Sequence, residues 1–282
     1  MQVVQDLRGG DVRGALSQLQ DQVRANPAKA EYRVFLFQLL AVMGEWGRAL
    51  TQLEVAGELD AGTLAMVQTY REALRCEVLR SEVFQGKRSP LVFGDPENWI
   101  ALVIQSLQAS AEGKHAQAQD MRQEAYESAE VSTGTIDGKP FEWIADADPR
   151  IGPFVEVVLN GSYYWVPFQR IQRIQLDPPE DLRDMVWTPA QFTWSNGGQA
   201  VGLIPTRYPG SESSEDSAIL LAHKTEWEQV AENEYIGTGQ RMLATDADEY
   251  PLLDVRDIVL NNKDSSTADV NWTEAAAKEQ QE

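Results

Sequence analysis

The spacing of apolar residues along the chain changes near residue 131. Before that point the apolar positions fit helices, and after it they alternate with polar positions as in strands. The change is clearest in residues 154–176, FVEVVLNGSYYWVPFQRIQRIQL, in which two alternating runs flank Asn160 and Gly161. Both of these residues tolerate positive φ, so the segment predicts a hairpin with a type I′ turn. Pro167 lacks an amide proton, which predicts a break before the alternation resumes.

A 34-residue repeat runs through the first part of the chain. Its members recur in the same order, as Gly10, Ala15, Leu16 and Leu19 and then as Gly44, Ala49, Leu50 and Leu53. This period is that of the tetratricopeptide (TPR) repeat, in which each unit is a pair of helices. The pattern predicts a TPR-like helical domain over residues 1–130, with a helix pair in 30–60, a long helix in 63–85 and a weaker pair in 99–130. An irregular helical bundle without a groove is the alternative.

The second half predicts an antiparallel β domain over residues 141–260, because short alternating runs are separated by turn residues. Among these runs, residues 141–144 and 217–223 are each expected to form a short strand. Residues 131–140, VSTGTIDGKP, have the composition of a linker. Residues 261–282 are acidic and poor in large apolar groups, which is typical of a disordered or loosely helical tail. The predicted fold class is therefore α+β, with a TPR-like helical repeat domain followed by a mainly antiparallel β domain.

Charge narrows the classes of partner. The chain carries a net charge of −20, and residues 131–282 hold 11 Lys+Arg against 26 Asp+Glu, or −15 of that total. Such a surface repels nucleic-acid backbones and anionic lipid and attracts basic protein segments. The single cysteine excludes an internal disulfide, and no apolar run is long enough to span a membrane. We expect a cytoplasmic protein.

Residues that could carry catalysis or hold a cofactor are scarce. His115 and His223 stand apart from any nucleophile motif, and no phosphate loop or dinucleotide fingerprint occurs. Two acidic turns lack the remaining ligands of a calcium loop; they contain Asp146 and Asp148, and Asp246, Asp248 and Glu249. We therefore predict no enzyme, no metal and no cofactor.

Several motifs of the second half, in this order, resemble one known family. They are NGSYYWVPFQRI, PPEDLRDMVWTPAQF, GLIPTRYPGS, KTEW and GTGQRML, spread over about residues 141–253. The order resembles the ImpE family, also called TagJ or SciE-type, an accessory component of bacterial type VI secretion. The resemblance implies a non-enzymatic cytoplasmic adaptor that contacts the N-terminal helix of the small, TssB-like sheath subunit. It also implies a link to the ClpV-type AAA+ ATPase that disassembles the sheath.

The repeat gives a position for the partner helix. Stacked TPR-type pairs leave a concave surface that suits an amphipathic helix. The repeat phase places seven side chains there: Val34, Gln38, Ala41, Val42, Ile100, Val103 and Leu107. The alternative is that each is buried against a neighbouring helix. A few aromatic residues of the second half, if exposed, would form a different recognition face.

Two other functional classes stay open on the sequence. The chain would be a building block of the sheath or baseplate if it polymerised by itself. It would be an enzyme if its histidines or acidic turns converged in a pocket.

Overall fold

The computed structural model describes residue 7 and residues 9–94, 97–232 and 234–262. The first half of the described chain contains six helices: α1 Val12–Ala25, α2 Ala30–Val42, α3 Trp46–Leu59, α4 Leu64–Phe84, α5 Asn98–Ala111 and α6 His115–Ser128. The Asp11 side chain accepts a hydrogen bond from Gly14 N at 2.7 Å and so caps α1. Helix α2 packs on α3, and α5 packs on α6. The helical character of the first half is confirmed, whereas the TPR-like classification stays a prediction.

The strands of the described residues form one large sheet and two small ones. The strands are β1 Leu91–Val92, β2 Gly134–Ile136, β3 Lys139–Phe141, β4 Ile144–Asp146, β5 Phe154–Leu159, β6 Ser162–Pro167, β7 Ile171–Leu176, β8 Trp187–Trp194, β9 Gln199–Pro205, β10 Thr225–Ala231, β11 Glu234–Gly239, β12 Met242–Thr245, β13 Glu249–Pro251 and β14 Asp257–Leu260. The large sheet has the order β1-β6-β5-β9-β8-β7-β14-β2-β3, with β1 and β6 parallel and the other pairs antiparallel. Strands β13, β12 and β4 form one small sheet, and β10 with β11 the other. The α+β class is confirmed.

The hairpin predicted around residue 160 is present. Strands β5 and β6 pair antiparallel from Phe154 opposite Pro167 to Leu159 opposite Ser162. Asn160 has φ 49° and Gly161 has φ 81°, the positive values that a type I′ turn needs. Strand β6 ends at Pro167, and one 3₁₀ turn separates it from β7. The break expected at the proline is therefore real.

Three local predictions are wrong. Residues 131–140 are not a bare linker, because they contain β2 and part of β3, and β2 pairs with β14 inside the large sheet. Residues 217–223 contain a short helix, α7 Ser217–Leu220, where a strand was expected. The strand expected at 141–144 is divided, since β3 ends at Phe141 and β4 begins at Ile144. The tail prediction concerns residues 263–282 almost entirely, which lie outside the described part of the chain.

The helices and the large sheet share one hydrophobic core. Aromatic rings continue from α2 through α4 to β8, since Phe37 and Tyr70 have centroids 5.8 Å apart and Tyr70 and Trp187 5.6 Å apart. Phe84 of α4 likewise contacts Trp165 of β6 at 5.7 Å. Every residue of β5 is buried, so this strand is covered on both faces. The helical half is thus the cover of one face of the sheet.

Candidate interaction site

The seven residues assigned to a partner groove do not form one. Six are buried in this chain, namely Gln38, Ala41, Val42, Ile100, Val103 and Leu107. Val34 is half-buried. Arg207, from the sheet half, donates hydrogen bonds from Nη1 to the carbonyls of Val42 and Leu220, both at 2.6 Å. The repeat phase identified side chains that face inward, and most of them are packed inside the chain's own fold instead of lining an open groove.

A buried ionic network joins the two halves at Glu156 of β5. Its Oε1 accepts from Arg80 Nε at 2.7 Å and from the Tyr163 hydroxyl. Its Oε2 accepts from Arg80 Nη2 at 3.0 Å and from Arg241, whose other terminal nitrogen pairs with Asp146. Burial alone would raise the pKa of the Glu156 carboxyl, but the charges of Arg80 and Arg241 and the hydrogen bonds to it lower that pKa to about 2.

This network has the features of a structural element. Each Glu156 oxygen already accepts two hydrogen bonds, and the side chain is fully buried. A general base needs a free oxygen at a surface that substrate reaches. Glu77 stands beside the network, where Trp187 Nε1 donates to it at 2.9 Å and burial raises its pKa. The arrangement fixes α4 on the sheet.

The acidic turns are held by the protein's own donors. Asp146 belongs to the ionic network, and Asp148 accepts from Arg150 and from Gly237 N at 3.0 Å. Asp246 Oδ1 accepts from Glu142 N at 2.6 Å. Across the described residues, no three His, Cys, Asp or Glu side chains gather in a way that would hold a metal ion.

An apolar cleft of about 410 Å³ opens between the end of α6 and strand β4. Trp99, Tyr126, Ile144 and Phe168 are among the residues that line it, and Trp143 stands in its wall with 41% of its surface exposed. An exposed tryptophan beside an apolar cavity is typical of a protein-binding surface, because burial of a tryptophan contributes strongly to binding. This cleft is the candidate interaction site.

Two features give the cleft its shape. The Tyr126 hydroxyl donates to the Pro149 carbonyl, which fixes the tyrosine ring in the wall, and burial raises the pKa of this phenol above its ordinary value. Gly152 has φ 57°, and a Cβ there would lie 2.3 Å from the Tyr126 oxygen. The glycine therefore meets both a backbone and a steric requirement of the cleft wall.

Polar groups at the cleft favour a cationic, amphipathic occupant. Val131, 64% exposed, adds an apolar rim position, and the exposed Glu130 adds a carboxylate beside it. Glu142, next to Trp143, is also exposed. Ser132 is 4% exposed, and its Oγ finds no hydrogen-bond partner among the described residues. A bound peptide could supply that partner.

Sequence reasoning missed this cleft, although it contained one signal. Trp143 belongs to the aromatic residues of the second half, but the pattern at residues 141–144 predicts a strand, which hides its exposure. In the structure it lies between β3 and β4, where no sheet covers it. The other walls come from α5, α6 and the turn after β6, so only the tertiary structure brings them together.

Comparison with known proteins identifies the family. The ImpE protein family matches residues 138–259. The type VI secretion system accessory component TagJ of Pseudomonas aeruginosa is 47% identical over 252 residues, which cover 89% of this chain and 88% of that protein. The chain belongs to the ImpE family. The resemblance inferred from the motifs is confirmed.

A solved structure agrees with this fold. The crystal structure of protein VPA1032 from Vibrio parahaemolyticus superposes with a TM-score of 0.84 at 23% identity, covering 92% of this chain and 97% of that one.

Within the ImpE match lie Trp143 and Ile144 of the cleft, whereas Trp99 and Tyr126 precede it. Among the helices that the structure describes, none has the length and apolar character to cross a membrane.

Proposed function

We propose that this ImpE-family chain is a non-enzymatic cytoplasmic adaptor of a bacterial type VI secretion system. It binds the N-terminal helix of the small, TssB-like sheath subunit and links the contractile sheath to its ClpV-type disassembly ATPase. The similarity to TagJ of Pseudomonas aeruginosa, an accessory component of such a system, supports the proposal. The saturated ionic network and the structural use of the acidic turns favour binding over catalysis.

The observation that carries the proposal is Trp143 beside the apolar cleft. The cleft has apolar residues in its walls and Glu130 at its rim, and Glu142 is exposed next to Trp143. An amphipathic helix with basic residues on its polar face is complementary to both features. The net charge of −20 also disfavours nucleic acid or an anionic membrane as the partner.

Calorimetric titration with a synthetic peptide of the sheath subunit's N-terminal helix tests the proposal. The unmodified chain should bind it, and Trp143→Ala should weaken the affinity at least about tenfold, as for a central interface tryptophan. Trp227→Ala is the matched control, because Trp227 is a similarly exposed tryptophan, 38%, on the β10–β11 hairpin. No binding by the unmodified chain would contradict the adaptor function, and equal affinities for the two variants would contradict the cleft as the site.

The link to the ATPase needs its own measurement. Size-exclusion chromatography of the chain, the sheath peptide and the purified ClpV-type ATPase should show a complex that contains all three. A chain that binds the peptide but never comigrates with the ATPase would be a sheath-binding protein without the linking role. A chain that polymerises alone would instead be a building block.

A further inference from the structure

A second, polar cleft of about 460 Å³ adjoins the apolar one. The two share Tyr126 and Pro149 in their walls. Helix α6 supplies most of the remaining lining of the polar cleft, and Glu234, at the start of β11, closes it. The two clefts therefore adjoin at Tyr126 and Pro149.

Glu234 has an incomplete set of hydrogen bonds. Its side chain is buried, with 3% of the residue exposed, and Oε1 pairs with Arg122 Nη2. Oε2 accepts nothing from the described residues. Arg122 in turn directs Nη1 to Ser106 Oγ and Ser110 Oγ, both at 3.2 Å, so that nitrogen is committed away from Glu234. A buried carboxylate oxygen without a donor is costly and gains from a ligand that provides one.

The surroundings decide the charge of that ligand. Glu127 lines the same cleft and is exposed, and Glu130, just past the end of α6, is exposed at the apolar end. Arg122 is the one cation of this lining, and its charge is balanced by Glu234. An anionic ligand would meet uncompensated carboxylates, whereas an ammonium or guanidinium group would be attracted and would donate to Oε2.

We propose that the polar cleft takes a Lys or Arg side chain of the partner segment, which hydrogen-bonds to Glu234 Oε2. An apolar side chain of the same segment fills the cleft at Trp143. Oε2 is out of contact with solvent in the free chain, so the carboxylate turns toward the cleft on binding. The inference rests on the proposed function, and it adds the chemistry by which the partner is recognised.

A double-mutant cycle on the full chain tests the contact. The probes are the sheath peptide and copies of it in which each Lys or Arg is replaced in turn by Met. Replacement of one of these basic residues should weaken the affinity of the peptide for the unmodified chain at least about tenfold, more than any other replacement. The Glu234→Gln chain should bind the unmodified peptide more weakly by a similar factor. Replacing the same basic residue of the peptide by Met should then weaken binding to Glu234→Gln little further.

The control is Glu228→Gln, which removes the same charge from an exposed position on β10. It should change affinity less than about twofold at physiological salt. If Glu234→Gln fails to fold, the peptide series against the unmodified chain still decides the outcome. Binding that is insensitive to every Lys and Arg replacement would overturn the inference and leave the proposed function standing. No binding of the unmodified peptide would overturn both.

Discussion

Arg80 of α4 and Glu156 of β5 form a bidentate ion pair in the core, although 76 residues separate them in sequence. The two bonds measure 2.7 Å from Nε to Oε1 and 3.0 Å from Nη2 to Oε2. Arg80 Nη2 also donates to the Arg207 carbonyl at 2.8 Å. One helical side chain is thereby tied to two positions of the sheet half, which makes the packing of the two halves directional.

Glu156→Gln should strongly destabilise the protein. The change leaves Arg80 and Arg241 buried without the carboxylate that compensates them, and breaking a buried pair in this way costs about 3 to 5 kcal/mol. Urea unfolding followed by circular dichroism measures the loss. Asp257→Asn is the control, because Asp257 pairs with Arg173 at the surface, where water screens the charges. A smaller loss for Glu156→Gln than for the control would contradict a stabilising role of the network.

The same carboxylate predicts an acid-sensitive component of stability. Its pKa is about 2 in the folded chain against an ordinary value of 4.5. A lowered folded pKa means that the contribution is present above pH 4.5 and is lost as pH falls toward 2. The size is about 3.5 kcal/mol at most, since one pKa unit corresponds to about 1.4 kcal/mol.

Urea unfolding of the unmodified chain and of Glu156→Gln at several pH values isolates this component. The difference in unfolding free energy between the two should be constant above about pH 5 and should shrink below pH 4.5. A difference that stays constant down to pH 2.5 would show that Glu156 is not held ionised by its arginines.

Gly152→Ala should destabilise the chain more than Gly138→Ala. Both glycines have positive φ, so each substitution carries a backbone cost of about 1 to 2 kcal/mol. Only at Gly152 would the new Cβ also collide with the Tyr126 hydroxyl, whereas the space at Gly138 is empty within 4 Å. The collision should add about 1 to 3 kcal/mol and displace the shared wall of the two clefts. Thermal unfolding compares the two variants, and equal losses would argue against a tight Tyr126 wall.

Cys76 should be nearly unreactive in the folded chain. Burial, with a smaller contribution from Glu77, raises the pKa of its thiol from 9.0 to about 12, and Sγ lies 3.5 Å from the Gly161 carbonyl. That shift lowers the thiolate fraction at pH 8 about a thousandfold. Iodoacetamide should modify the chain rapidly in concentrated urea and very slowly without it, as read by intact mass. Similar rates under the two conditions would mean that α4 does not pack on the β5–β6 turn as described.

Local chemistry was sufficient to predict several elements from the sequence. Asn160 and Gly161 determine the turn between β5 and β6, because the pair accepts the positive φ that joins two twisted strands. Pro167 ends β6 because it has no proton for a ladder bond. The helix expected over residues 63–85 is α4, Leu64–Phe84, and the family follows from short motifs that are each read within a few neighbouring residues and recur in a fixed order. Each of these properties depends on neighbouring residues alone.

The sites depended on contacts between distant segments, which alternation and repeat phase do not encode. Glu156 alternates with valines in a pattern that would place it on a solvent face, yet α4 covers that face and Arg80 compensates the charge. Val103 has the spacing of a groove residue and is fully buried. Trp143 is exposed because the strand predicted around it is divided. The sequence alone determined the elements and the family, and the packing of helices on the sheet decided which side chains reach a partner.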